Sequence, residues 1–116
     1  YYVHSKLDDT GQPLGLVHRD INPTNIHVGY DGVCKIVDFG IAATRATVLA
    51  DERPGQFAGK LSYMAPEQVR GEELDERADI FALGVVLYEM CLGRRLFRGP
   101  GEEIRRRILA GDIPAP

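Results

Sequence analysis

Residues 80–92 are apolar at almost every position, with Glu89 the single charge in the run. Asp75 stands before it as a helix N-cap and Gly93 after it as a stop. An apolar surface that continues all the way round a helix predicts one buried on every side. The run is short for crossing a bilayer, and it carries a carboxylate. The rest of the chain must therefore wrap this helix, which places it at the centre of a mostly helical lobe.

The flanking sequence supplies the wrapping elements. Tyr1-Tyr2-Val3-His4 reads as the end of a helix begun upstream, so both ends of the chain look cut. A polar loop follows at 8–15, with Gly11, Pro13 and Gly15 as turn residues. Leu16-Val17 is a short apolar strand candidate. Two more, Ile26–Val28 and 33–37, flank Gly29-Tyr30-Asp31-Gly32. The Asp-Gly pair predicts a hairpin, since Gly32 tolerates positive φ. Residues 40–64 read as a long loop interrupted by Pro54, Gly55 and Gly59, a length that is normally functional or disordered. Pro66–Arg70 predicts a short helix ending at Gly71, and about 102–109 an amphipathic, Arg-rich one. The fold class expected is α+β, mostly helical with one small β-hairpin, over a single domain unit spanning 1–116.

Composition narrows the function classes. A formal charge of −3 leaves no basic footprint for nucleic acid. The run 105–107, Arg-Arg-Arg, reads as a solvated helix face rather than a docking patch. No basic-then-apolar leader opens the chain and no membrane contact is expected from this segment; the expected compartment is the cytoplasm, with an anchor outside the segment left open. Cys34 and Cys91 have no zinc spacing, and their apolar surroundings suggest buried free thiols.

The chemistry gathers at the hairpin. Asn25 precedes its first strand and Asp38 follows its second, so an antiparallel pair brings both to one open end, with backbones about 5 Å apart. An amide oxygen and a carboxylate there are hard ligands suited to Mg²⁺. Asp20 lies five residues before Asn25 in the same loop and can face the same space. A metal beside a free carboxylate fits phosphoryl transfer, in which the metal neutralises phosphate charge and the carboxylate orients a hydroxyl.

His18-Arg19-Asp20-Ile21-Asn22-Pro23-Thr24-Asn25 resembles the catalytic loop of eukaryotic-type protein kinases, Asp38-Phe39-Gly40 their metal-binding loop, and Ala65-Pro66-Glu67 the end of their activation segment. Each motif alone is weak; their order and spacing, with Asp79 opening an apolar helix downstream, are specific. The resemblance covers nearly the whole chain and implies the C-terminal lobe of a Ser/Thr kinase, bacterial in character, transferring the ATP γ-phosphoryl group to protein Ser or Thr hydroxyls. It implies Asp20 as catalytic base and Asn25 and Asp38 as Mg²⁺ ligands. His18 and Phe39 would belong to the hydrophobic stack of active kinases, with Asp79 as its anchor. Gly40 completes the metal-binding motif, and Glu67 the segment end. Arg19 resembles the arginine of kinases controlled by activation-loop phosphorylation, with Thr44 and Thr47 as candidate sites and Arg45 lining their pocket.

Three positions depart from the family. Asn22 stands where Ser/Thr kinases carry Lys, and Lys60 where they carry Thr. If the two face each other, Lys60 could bring its ammonium to the phosphate and to Asp20. The third is His27, where an aliphatic residue normally lies under the adenine; it can stack on a purine or be a tolerated strand residue. Asn22 keeps open a pseudokinase that binds or regulates without transfer. Related small-molecule phosphotransferases lack the segment 59–67, and tyrosine kinases carry a different catalytic-loop ending. The sequence contains no Gly-rich phosphate loop or strand lysine of the kinase type.

Overall fold

The structure, a computed structural model, describes residues 7–12, 15–38 and 56–115. The helical tail at 1–4 and the sites Phe39, Gly40, Thr44, Arg45 and Thr47 lie outside the described residues.

The expected hairpin forms. Strand β1 (Ile26–Val28) pairs antiparallel with β2 (Cys34–Ile36), Ile26 opposite Ile36 and Val28 opposite Cys34. Its loop closes through the Gly29 N–H on the Val33 carbonyl at 2.9 Å, with Gly32 at φ +78° as the Asp-Gly pair predicts. Before β1 a 3₁₀ turn, Pro23–Asn25, is capped by the Asn22 side chain, and proline at its first position suits that place. Leu16 and Val17 do not join a strand. The backbone N–H that follows them, that of His18, is taken by a carboxylate instead of a neighbouring strand.

Four α-helices follow among the described residues: α1 (Gln56–Leu61), α2 (Pro66–Arg70), α3 (Glu76–Leu92) and α4 (Gly101–Ala110). Helix α1 corrects the expectation of a continuous loop over 40–64. It accommodates Gly59 because Leu61 anchors it in the core, and tertiary burial outweighs weak local propensity. Helix α2 ends at Gly71 and α3 runs from the Asp75 cap to Gly93, as expected. Helix α4 packs against α1 and α2 and buries Ile104 and Ile108, one turn apart on one face.

The core joins Ile21, Leu61, Tyr63, Ala82, Val85, Val86, Leu96, Phe97, Ile104 and Ile108. Phe97 is fully buried, stacked on Phe81 with ring centroids 6.5 Å apart. Glu89 is structural: one oxygen accepts the Tyr63 hydroxyl at 2.7 Å and the other the Leu96 N–H at 3.3 Å. Burial, and then that hydrogen bond, push the Tyr63 phenol up to about 12. The stabilisation from its protonated form is therefore complete below pH 10 and lost as pH rises through about 12.

Three further expectations need correction. Helix α3 is not buried all round: Ala78, Ala82, Val85 and Val86 face the core, while Ile80 (61% exposed), Leu87 (51%) and Met90 (74%) form an open face. Both faces are apolar, so periodicity carries no sign of which one packs. Cys34 and Cys91 are free but exposed, Cys91 because it falls on that open side. The arginine run also divides. Arg105 and Arg106 are exposed, Arg106 pairing with Glu103 at 2.7 Å. Arg107 folds back instead, its Nε 3.2 Å from Asp112 and its guanidinium 5.7 Å from the centre of the Phe97 ring. Among the described residues no helix is long and apolar enough to cross a membrane.

Candidate active site

Helix α3 holds the loop that carries Asp20. Asp79, buried in its first turn, accepts the His18 N–H at 2.8 Å and the Arg19 N–H at 2.9 Å, one on each carboxylate oxygen. Two charge-assisted bonds at adjacent residues fix the chain direction there. Arg19 sits at φ +69°, a left-handed conformation that costs a non-glycine residue about 1–3 kcal/mol and needs such support. Gln68 of α2 donates to the Arg19 carbonyl at 2.8 Å and completes the clamp.

His18 ties the loop to the hairpin. Its Nε2 lies 3.0 Å from the Val37 carbonyl, which can only accept, so Nε2 carries the proton. Nδ1 then accepts the Asp20 N–H at 3.3 Å. One buried imidazole thus spans from the backbone of Asp20 to the residue before Asp38. Asp38 is exposed at φ +56°, like Arg19 a non-glycine residue in the left-handed region. The Val37 N–H donates to the Asn25 carbonyl at 2.9 Å, so Asn25 and Asp38 do flank the same open end of the hairpin.

Asp20 is surrounded by donors. Asn22 Nδ2 reaches its carbonyl and its Oδ1, both at 3.1 Å. Asn25 Nδ2 reaches the same carbonyl at 2.8 Å and Oδ2 at 3.2 Å. Lys60 Nζ, on α1, lies 3.2 Å from Oδ2. The buried Asn22 is thereby committed to closing the loop, its own Oδ1 accepting the Thr24 N–H at 3.0 Å. Asn25 turns its nitrogen toward Asp20, which leaves its oxygen, 3.5 Å from the Thr24 hydroxyl, directed elsewhere. The arrangement is a carboxylate with a neighbouring amide oxygen and a second carboxylate at the hairpin mouth.

The other sequence-derived residues fall nearby or apart. His27 is exposed on β1, opposite Lys35. Glu67 stands in the first turn of α2. Gln68 was not singled out by sequence, since a glutamine on a short helix carries no signal of its carbonyl partner.

The protein kinase domain family matches residues 2–113. This chain belongs to the protein kinase domain family. It is 44% identical over its whole length to the tyrosine-protein kinase MasK of Myxococcus xanthus, of which it covers 18%. It is 46% identical over 74% of its length to the serine/threonine-protein kinase drp72 of Corynebacterium efficiens, covering 16% of that protein. To serine/threonine-protein kinase PknL of Mycobacterium tuberculosis it is 39% identical over 86% of its length, covering 25%. The kinase chain thus spans at most a quarter of these relatives, and its similarity to bacterial Ser/Thr kinases is direct. Protein kinases use ATP and Mg²⁺. The donor set fits that use: Asn25 Oδ1 and the exposed Asp38 carboxylate are hard oxygens, few enough for an ion that keeps its waters and phosphate ligands. Among the described residues no three His, Cys, Asp or Glu side chains form a closed cage.

Proposed function

We propose that the chain is the C-terminal-lobe part of a Ser/Thr protein kinase, and that the full-length protein transfers the ATP γ-phosphoryl group to protein hydroxyls. The observation that supports this best is the net around Asp20, whose carbonyl and carboxylate are held by Asn22, Asn25 and Lys60 while its side chain keeps partial access to solvent. A carboxylate fixed in that way can accept a hydroxyl proton without reorganising, which suits it to the role of base. Asn25 and Asp38 would hold Mg²⁺, which when bound supplies charge neutralisation at the phosphates. Asp79 and His18 act as positioning residues, setting the loop by backbone contacts.

The oxygen of a protein Ser or Thr is the acceptor proposed, in keeping with the relatives named serine/threonine kinases. A tyrosine acceptor is the second reading, because one relative matched over the whole chain is named a tyrosine kinase. Radiolabelled ATP, with phosphoamino-acid analysis of the products of the full-length protein, separates them. Phosphoserine or phosphothreonine is expected; phosphotyrosine alone supports the second reading. Nucleotide binding with no transfer to protein would overturn both in favour of a regulatory module.

A further inference from the structure

Charge spreads over the transferring phosphoryl group in the transition state, and a cation beside it is among the largest single contributions to rate. Asn22 and Asn25, the two residues that close around Asp20 in its own loop, are neutral. Asn22 has no outward capacity, since both its donor contacts end on Asp20 and its oxygen is taken by Thr24. Lys60 Nζ is the cation that reaches Asp20 among the described residues. It spends one N–H on Oδ2, and its side chain is 60% exposed against 25% for Asp20, so the ammonium stands on the solvent side of the carboxylate. A pair so open adds little to stability. Its position is that of a charge presented to whatever approaches Asp20.

Resting on the kinase reading above, we propose that Lys60 is the phosphate-facing cation of this site. Lys60 lies 40 residues beyond Asp20 in sequence. It is carried on a short helix, α1, held to the core by Leu61 against the start of α4. A four-carbon stem and a point charge suit that task, since a phosphate requires charge here and not a planar fork.

The test is turnover of the full-length protein with Lys60→Met, Lys60→Arg, and Lys60→Met combined with Asn22→Lys. Lys60→Met should lower kcat roughly 10- to 1,000-fold with KM for ATP changed less than about threefold and the thermal midpoint unchanged. Lys60→Arg, which keeps the charge, should retain most of the rate. Asn22→Lys should restore at least about tenfold to the methionine variant, returning the cation from the loop itself. If Lys60→Met fails to fold, the arginine variant and Lys60→Thr with Asn22→Lys carry the same comparison. Turnover within about twofold of parent for Lys60→Met, or no rescue by Asn22→Lys, overturns the proposal. Asp20→Asn distinguishes the two levels. A parent silenced by it but indifferent to Lys60 leaves the kinase reading standing, whereas a parent with no transfer at all overturns both.

Discussion

Asp79 shows how much one buried side chain organises. It satisfies two successive backbone N–H groups, those of His18 and Arg19, and supports the left-handed conformation of Arg19. Removing it leaves those donors without their charged acceptor. Asp79→Ala should therefore cost about 2–4 kcal/mol of stability, read by urea unfolding, and Asp79→Asn less, because one amide oxygen remains to accept. Equal stability of Asp79→Ala and parent would show that the loop is held by other contacts. At this scale the sequence was informative where a residue type has one chemical use at a fixed spacing. The spacing of Asn25 and Asp38 about the Asp-Gly turn placed both at one end of the hairpin, as its register shows. The commitment of Asn22 to the loop and the Gln68 clamp could not be read that way, because both depend on where distant backbone carbonyls and amides end up.

Helix α3 marks the limit of pattern reading at the scale of elements. Its caps were legible, since Asp75 and Gly93 act locally on the backbone. Its burial was not, since an apolar run says that a helix can pack on every side and not which sides are covered. The same argument explains α1, which a glycine and a preceding Pro-Gly pair hide from local propensity and which burial of Leu61 secures. Two substitutions separate the two faces of the core. Phe97→Ala removes a fully buried ring, its stack on Phe81 and the seat of Arg107, and should cost about 3–5 kcal/mol in this chain. Leu87→Ala on the open face of α3 should cost less than about 1 kcal/mol by the same denaturation measurement. Comparable losses would mean that the face is covered in solution.

At the scale of the whole molecule, a hairpin, a pinned loop and Lys60 of α1 make up one side of the proposed phosphoryl-transfer site. The β-hairpin and the placement of Asn25 and Asp38 at one end of it followed from an Asp-Gly turn between two short strands, which fixes register without any tertiary knowledge. The role of the site rests on the family to which the chain belongs and on the oxygen donors that the hairpin mouth presents. Asp38 is the residue on which that role can be tested most cleanly, because it is exposed and its loss should leave the core untouched. The decisive measurement is kcat for phosphoryl transfer by full-length parent and Asp38→Ala, compared at matched thermal midpoints. A fall of roughly 10²-fold or more is expected, with folding unchanged. Near-parental turnover of Asp38→Ala would contradict it.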